Sequence, residues 1–207
     1  MRTTPSVHDA SIKFLSKDKL LGKFIKQHGP LNNRRTHSMK AFQSLTESIV
    51  YQQLSGKAAA TMCTRFIKLF PNKKFPTPDD VLKMKTTKMR GAGLSGQKVA
   101  YLKDLALKFK DGTVNPKLFP KMSDEEVIAH VKSVKGIGEW TAQMFLMFTL
   151  ARPDVLPTGD LGIQKGFQKL FKLKKLPSPK QMEKLSVPWL GYRTVACMYL
   201  WRIADTK

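Results

Sequence analysis

The sequence predicts an all-α protein. Apolar residues recur with the period of an α-helix along most of the chain, and no segment alternates apolar and polar residues over the length of a strand. Glycines, prolines and helix-capping residues interrupt this pattern often enough to predict about ten helices. With 207 residues, 42% of them hydrophobic, the chain is long enough to bury one core or two small cores that share a cleft.

In the first half of the chain, each predicted helix begins at a capping residue or at a break in the apolar pattern. The predicted starts are Asp9, Ser38, Ser55-Gly56, Asp79 and Ser95. The first helix continues to Gly29-Pro30 and buries Leu15 and Leu20, among other apolar residues. The helix that begins at Gly56 stops at Pro71.

In the second half, a capping-box pattern precedes a glycine pair. The Ser123 hydroxyl and the Glu126 carboxylate are spaced to satisfy free amides reciprocally at a helix start. The helix that they open ends at Gly136 and Gly138. Later helix boundaries are predicted at Asp160, Ser178-Pro179, Gly191 and Ala204.

The strongly basic composition makes nucleic acid the leading partner class. Lys and Arg number 37 against 15 Asp and Glu, which gives a formal net charge of +22. Self-repulsion of this size costs stability unless an anionic partner or solvent screens it. The alternative is a small basic protein whose charge serves only solubility.

The cysteine count and the hydropathy exclude other classes. Cys63 and Cys197 both lie in apolar helical patterns, which suits reduced, buried thiols. Two cysteines cannot build a four-cysteine iron–sulfur cluster or zinc site, and we predict no cofactor. No signal-peptide core is present and no run approaches the ~20 apolar residues of a membrane span, so we expect an intracellular protein without a membrane partner.

Gly136, Ile137 and Gly138 form a tight connection between two predicted helices. The start of the second helix leaves backbone amides without intrahelical partners, and the helix dipole favours an anion there. A DNA phosphate suits this position, with Ile137 filling the groove between the helices and Thr141 adding a hydroxyl. The alternative is a glycine-rich cap that only joins two helices.

The wider string resembles a known family. VKGIGEWTAQMFLMF at 134–148, followed by RPDVLPTGDLGIQKGF, resembles the helix-hairpin-helix base-excision DNA glycosylases, in which such a hairpin precedes an aspartate at the mouth of a base pocket. The further matching strings are SIVYQQLSGKAA, GLSGQKVAYL and PWLGYRTVACMYLW. Within that superfamily the chain looks most like the alkylpurine branch, 3-methyladenine DNA glycosylase II. The resemblance implies one glycosylase domain over 1–207, with helical subdomains at 38–150 and at 1–37 plus 151–207 flanking a DNA-binding cleft.

By this resemblance Asp160 is the catalytic residue. Cleavage of an N-glycosidic bond builds positive charge on the deoxyribose, so a fixed carboxylate stabilises an oxocarbenium-like transition state and can position or deprotonate the attacking water. The alternative for Asp160 is a helix N-cap with no catalytic role.

The predicted base pocket is aromatic. Trp140 stands two residues after Gly138, where relatives that also cut the DNA backbone carry a lysine. An indole cannot form a Schiff base, so the resemblance implies a glycosylase without lyase activity. An indole can stack on a flipped, cationic alkylated base. Trp189 and Tyr192 are further candidates for the pocket wall, and core packing is the alternative for each of the three.

Gln52-Gln53-Leu54-Ser55 matches the wedge loop of the family, which fills the gap left by a flipped base. Gln53 or Leu54 is the expected insertion residue, and Ser55 is small for such a role. The alternative is two surface glutamines, a core leucine and a serine N-cap.

Basic residues next to the matched motifs are expected to contact phosphates. They are Lys57, Lys98, Lys135 and Lys165. The family's hairpin also binds a monovalent cation through main-chain carbonyls, which by register are those of Lys132, Val134 and Ile137. Such a structural Na⁺ or K⁺ is the one ion that the resemblance implies.

The sequence therefore predicts a monofunctional glycosylase that excises alkylated purines by base flipping in base-excision repair. We expect a monomer that binds double-stranded DNA with damaged or abasic sites, in the nucleus if the source is eukaryotic and in the cytoplasm or nucleoid otherwise. A second hypothesis is a protein of the same fold that binds lesions or abasic sites with little or no catalysis. A third, a basic α-helical RNA-associated protein, explains the charge but not the hairpin followed by Asp160.

Overall fold

The computed structural model describes residues 7–31 and 40–206. Within these ranges all regular structure is helical, so the predicted all-α class is confirmed. The α-helices are α1 (Val7–Leu15), α2 (Leu21–His28), α3 (Ala41–Tyr51), α4 (Gly56–Lys68), α5 (Pro78–Lys83), α6 (Thr86–Gly91), α7 (Gly96–Lys110), α8 (Asp124–Lys132), α9 (Glu139–Phe148), α10 (Leu161–Leu170), α11 (Pro179–Leu185) and α12 (Arg193–Asp205). Short 3₁₀ helices lie at Phe119–Lys121 and Val187–Trp189.

The chain forms two compact units, one of Met1–Thr36 with Leu150–Lys207 and the other of His37–Thr149. In the first unit α10 packs closely against α12. A glycine makes this approach possible, because a Cβ at Gly166 would lie 2.3 Å from the carbonyl oxygen of Leu200. Phe167 and Trp189 stack beside this contact, with ring centroids 5.5 Å apart.

In the second unit the long helix α7 packs against α5 and α3, and α8 and α9 form a helical hairpin. Leu45 and Ile49 of α3 and Leu105 of α7 are fully buried in its core. On α9, Phe145 packs edge-on against Phe119, with centroids 5.6 Å apart. This core supports the segments that precede α4 and α9.

The predicted single helix from Asp9 to Gly29-Pro30 is wrong, because the chain breaks between α1 and α2. The carboxylate of Asp18 accepts hydrogen bonds from the amides of Leu20 and Leu21 at 2.9 and 2.7 Å, and so starts a new helix inside the apolar pattern. Leu20, predicted to be buried, is 38% exposed as a result. The predicted start at Ser38 lies outside the described residues.

Most of the other predicted helix starts are confirmed. Ser123 and Glu126 form the expected capping box at α8. The side chains of Ser95, Asp160 and Ser178 each accept a hydrogen bond from the amide three residues later. The start predicted at Asp79 is displaced, because Thr77 and Asp80 form a second capping box there. No helix in the described part of the chain is long and apolar enough to cross a membrane.

Candidate nucleic-acid interface and catalytic site

The glycine hairpin, residues 133–138, connects α8 to α9 through a backbone that requires glycine. Gly136 has φ +82°, in the left-handed region, and a Cβ there would lie 2.1 Å from Cδ2 of Tyr101. The Tyr101 hydroxyl accepts a hydrogen bond from the Gln97 side chain at 2.6 Å. Gly138 occupies the N-cap position of α9 with φ −92°. The turn therefore leads directly into a helix N-terminus, the arrangement that favours an anion.

Helix α7 also holds the glycine hairpin by its polar side chains. Asp104 Oδ2 accepts a hydrogen bond from the amide of Lys135 at 2.8 Å. Lys108 donates to the carbonyl oxygen of Ser133 and pairs with Asp104 at 3.1 Å. These contacts use the Lys135 backbone and leave its side chain exposed. The hairpin is thus fixed in position before any partner binds.

The side chains of the hairpin divide between core and surface. Ile137 is 5% exposed and packs inward, and Thr141 is 7% exposed within α9. Lys132 forms an ion pair with Glu139 at 2.7 Å. The carbonyl oxygen of Val134 accepts a hydrogen bond from the Ile137 amide at 3.1 Å.

The wedge loop, residues 52–55, joins α3 to α4 in the same unit. The Gln52 side chain donates a hydrogen bond to the carbonyl oxygen of Gly136 at 2.7 Å, which ties the loop to the glycine hairpin. Gln53 is exposed and has φ +58°, a strained conformation for a residue with a side chain. Leu54 is half-buried, and Ser55 stands at the N-cap position of α4 without a side-chain capping hydrogen bond.

The predicted phosphate ligands differ in their surroundings. The Lys98 ammonium donates to the carbonyl oxygen of Val50 at 2.6 Å and so caps the C-terminal part of α3, and burial lowers its pKa. Lys57, on the first turn of α4, and Lys165, on α10 of the other unit, are exposed.

In the first unit, Asp160 is held in one orientation by two donors. Its Oδ1 accepts hydrogen bonds from the backbone amide of Ile163 and from Nε1 of Trp201, both at 2.8 Å. The Trp201 ring also packs against Gly162, where a Cβ would lie 2.7 Å from Cδ1 of the indole. Asp160 is therefore the N-cap of α10, and its carboxylate also accepts a hydrogen bond from Trp201 of α12.

The three predicted pocket aromatics occupy different environments. Trp140 is 52% exposed on the first turn of α9. Trp189 is 1% exposed, and its Nε1 donates to Asp18 at 3.0 Å. Tyr192 is half-buried and stacks on Phe14, with centroids 4.4 Å apart. The core alternative fits Trp189 well, while about half of the Trp140 surface is accessible to solvent.

Arg193 forms an ion pair with Asp154. Its Nε and Nη2 donate to the two carboxylate oxygens of Asp154, each at 2.7 Å, a bidentate geometry. Thr194, the next residue, accepts a hydrogen bond from the Val155 amide at 3.0 Å. These contacts join the segment before Asp160 to the start of α12.

Neither cysteine nor any acidic cluster in the described ranges suggests a metal centre. Among these residues no group of three or more His, Cys, Asp or Glu side chains could hold an ion. Cys63 and Cys197 are both buried as free thiols, and burial raises the pKa of Cys63 to about 11. Burial also raises the pKa of Cys197.

With this geometry in place, comparison with known proteins gives the family. The HhH-GPD superfamily, described as base excision DNA repair proteins, matches residues 46–190. The chain belongs to this superfamily. The match includes the wedge loop, the glycine hairpin and Asp160, and it ends before α12, which supplies Trp201.

Several HhH-GPD relatives are similar over most of their length. DNA-3-methyladenine glycosylase 1 of Schizosaccharomyces pombe is 35% identical, over 89% of this chain and 80% of the relative. DNA-3-methyladenine glycosylase of Saccharomyces cerevisiae is 36% identical, over 80% of this chain and 67% of the relative. The alkylbase DNA glycosidase-like protein mag2 of S. pombe is 28% identical, over 91% of this chain and 89% of the relative.

Solved HhH-GPD structures show the same fold. The S. pombe 3-methyladenine DNA glycosylase Mag1 in complex with abasic DNA has a TM-score of 0.82 and 32% identity, over 96% of this chain and 100% of that one. A DNA-3-methyladenine glycosidase from Bacillus halodurans has a TM-score of 0.85 and 32% identity, over 100% of this chain and 94% of that one.

Sequence reasoning missed two contacts of these sites. Trp201 closes the string PWLGYRTVACMYLW, and its place inside a matching motif was the available signal for a functional role. The bond from Gln52 to Gly136 joins two motifs that lie 84 residues apart, and nothing in either motif indicates the other as its partner.

Proposed function

We propose that this chain is a monofunctional alkylbase DNA glycosylase, which hydrolyses the N-glycosidic bond of alkylated purines in base-excision repair. Family membership and the names of the relatives at 35% and 36% identity support this activity. The proposed partner is double-stranded DNA with damaged or abasic sites, consistent with the abasic DNA in the similar Mag1 complex. The positive charge of the chain suits that polyanion.

The observation that carries the proposal is the fixed carboxylate of Asp160. Two N–H donors on Oδ1 hold it in one orientation, so it needs no reorganisation when positive charge develops on the sugar. Water then attacks the anomeric carbon as the bond to the base breaks, and Asp160 positions that water or accepts its proton. A purine that alkylation has made cationic leaves readily as a neutral base, so a second acidic side chain is not required.

The glycine hairpin and the wedge loop supply the DNA contacts in this proposal. The N-terminus of α9 binds a backbone phosphate, with the Lys135 ammonium beside it. Gln53, exposed at the strained tip of the wedge loop, enters the duplex when the damaged nucleotide is flipped out. Lys57 and Lys165 contact further phosphates, whereas Lys98 acts by capping α3.

Trp140 accounts for the proposed absence of lyase activity and for substrate choice. It stands where a lysine would form a Schiff base, and an indole has no amine for that step. Its exposed ring can stack on a flipped base, and a cationic base gains about 0.5–2 kcal/mol over a neutral one from the cation–π interaction. Tyr192 is the second proposed aromatic wall.

Two further expectations belong to this proposal. The carbonyl oxygens of Lys132, Val134 and Ile137 would coordinate a monovalent cation that stabilises the hairpin, and replacing K⁺ and Na⁺ by a bulky organic cation should then weaken duplex binding. A eukaryotic chain with this activity would act in the nucleus, which imaging of the tagged full-length protein tests.

The activity is tested with methylated duplex DNA under single-turnover conditions, by identifying the bases released by the wild type and by Asp160→Asn. We expect release of methylated purines, a rate lower by about 10²-fold or more in the variant, and similar DNA affinity for both. Equal release by the two proteins would remove Asp160 from the mechanism. Cleavage of the DNA strand by the wild type would contradict the proposed absence of a lyase step.

A second candidate function is lesion binding without useful catalysis. The similarity to the glycosidase-like protein mag2 and the small Ser55 in the wedge loop favour it. Under this function the wild type binds abasic-analogue duplex more tightly than undamaged duplex, yet releases no base that depends on Asp160. The same assay, combined with both binding measurements, separates the two functions.

A further inference from the structure

A basic groove lies in the second unit, between the end of α4 and the helices α5 and α6. Its volume is about 460 Å³, which is within the range of ligand-binding clefts, and it is open to solvent. Its apolar lining comes from Leu69, Phe70, Pro71 and Met84. Phe70 is mostly buried, while Leu69 and Met84 are half-buried, so the groove presents an apolar surface rather than a flat polar one.

Lysines form the rim of this groove. Lys73 is paired with Asp80 at 2.6 Å, and hydrogen bonds from Lys73 and Thr77 lower the Asp80 pKa to about 2. The Lys73–Asp80 pair therefore adds no net charge to the rim. The ammonium groups of Lys85 and Lys88 make no hydrogen bond or ion pair within the described part of the chain. The rim therefore carries positive charge that no neighbouring carboxylate offsets.

A further ammonium lies behind the groove wall. Lys103 of α7 donates to the carbonyl oxygens of Leu82 and Met84, both at 2.6 Å. These bonds fix the end of α5 and place another positive charge next to Met84. The wall is thus preorganised, which lowers the entropic cost of binding an anionic partner.

The basic groove and the glycine hairpin lie on different sides of α7. Tyr101 and Asp104 contact the hairpin. Lys103 and Lys110 contact α5 and its flanking residues, Lys110 through an ion pair with Asp79 at 2.8 Å. At about 100° per residue, these two groups of side chains point in directions roughly 140° apart. A duplex bound at the hairpin therefore does not need the groove.

From these observations we propose that the basic groove binds an acidic peptide segment with one large apolar side chain, supplied by a protein partner. The apolar side chain fills the cavity against Leu69 and Met84, and its flanking carboxylates pair with Lys85 and Lys88. A nucleic-acid backbone fits less well, because it presents phosphates but no apolar group for the cavity. A neutral peptide would provide no negative charge to pair with Lys85 and Lys88.

The test uses the full chain and a short fluorescein-labelled peptide of aspartates and glutamates around one phenylalanine. Binding is followed by fluorescence anisotropy, alone and with saturating unlabelled abasic-analogue duplex. The double variant Lys85→Glu/Lys88→Glu is compared with Lys117→Glu/Lys121→Glu, which makes the same change of charge at exposed lysines that do not line the groove. A second peptide carries serine in place of phenylalanine.

We expect Lys85→Glu/Lys88→Glu to weaken peptide binding by about tenfold or more, and the control double variant to change it by less than about threefold. The serine peptide should bind at least about fivefold more weakly than the phenylalanine peptide. Saturating duplex should leave peptide affinity within about twofold, because the two ligands use different sides of α7.

Three results would overturn the proposal. Equal loss in both double variants means that overall charge, and not the groove, attracts the peptide. Equal affinity for the two peptides means that the cavity holds no apolar side chain. Displacement of the peptide by duplex, together with loss of duplex affinity in Lys85→Glu/Lys88→Glu, assigns these lysines to DNA. None of these readouts depends on base excision, so the proposal stands or falls separately from the glycosylase activity.

Discussion

The side-chain amide of Gln52 donates a hydrogen bond to the carbonyl oxygen of Gly136 at 2.7 Å. One partner begins the wedge loop and the other is the left-handed glycine of the hairpin that precedes α9. Helix α7 fixes both ends of this contact, since Lys98 caps α3 and Asp104 holds the Lys135 amide. This hydrogen bond therefore fixes the position of the wedge loop, which is proposed to enter the duplex, relative to the glycine hairpin, which is proposed to bind the DNA backbone.

We predict that Gln52→Met, which keeps the length of the side chain and removes the donor, uncouples these segments. Affinity for undamaged duplex should stay within about twofold, while the preference for abasic-analogue duplex falls by about fivefold, the change expected from losing about 1 kcal/mol of positioning. Flipping of 2-aminopurine in a duplex, read by its fluorescence, should decrease in parallel.

The matched control for Gln52→Met is Gln43→Met on α3, the helix that precedes the wedge loop, where the Gln43 amide donates a hydrogen bond to Glu47 at 2.9 Å. This control should lose a similar amount of stability and none of the preference for abasic-analogue duplex. A parallel loss of preference in both variants would show that α3 stability, and not the bond to Gly136, sets lesion recognition.

Gln53→Gly should stabilise the fold and impair the function. Gln53 has φ +58°, and a left-handed conformation costs a residue with a side chain roughly 1–2 kcal/mol. Glycine removes this cost, but part of the gain is lost because glycine has more conformational entropy in the unfolded chain. We expect a net gain of about 0.5–1 kcal/mol in urea unfolding, with slower single-turnover excision because the inserting side chain is gone.

Ala151→Gly is the control for strain relief alone, since Ala151 is exposed with φ +52°. It should gain stability without a change in excision. If Gln53→Gly lowers stability while Ala151→Gly raises it, the conformation of Gln53 is held by native contacts and is not a source of strain.

Gly136→Ala should be severely destabilising, because the added Cβ would meet the Tyr101 ring at 2.1 Å in a left-handed backbone. A loss of about 2–4 kcal/mol is expected in denaturant unfolding. Gly138→Ala is the matched change, since a Cβ there has nothing within 4 Å and φ is −92°. It should cost less than about 1 kcal/mol. Similar losses at both positions would contradict the packing argument.

Local chemistry explains which features the sequence could predict. A capping box such as Ser123 with Glu126 acts over three residues, so its pattern can be read directly. The sequence does not reveal the break between α1 and α2 at Asp18. A polar residue at this place in a helical apolar pattern also fits the exposed face of one continuous helix. The predicted start of α5 at Asp79 is displaced because Asp80 forms a capping box with Thr77, which places the N-cap two residues earlier.

The candidate site shows the same limit over longer distances. Asp160 was predicted from its motif and its helix start, and both are local. Its bond from Trp201 crosses 41 residues and depends on how α10 packs against α12, which only the folded core determines. Trp140 and Trp189 each lie in an aromatic-rich string, and only tertiary packing separates the exposed indole from the buried one.

Trp201→Phe should slow excision without weakening DNA binding. The phenyl ring retains the packing against Gly162 but cannot donate to Asp160 Oδ1, so the carboxylate loses the hydrogen bond from Trp201 and keeps the one from the Ile163 amide. We expect the single-turnover rate on methylated duplex to fall by about tenfold, with affinity for abasic-analogue duplex within about twofold. Because Trp201 acts through Asp160, adding the change to Asp160→Asn should lower the residual rate by less than about twofold. Losses that multiply in the double variant would show that Trp201 affects catalysis by another route. An unchanged rate in the single variant would show that the hydrogen bond from Trp201 is not needed to orient the carboxylate.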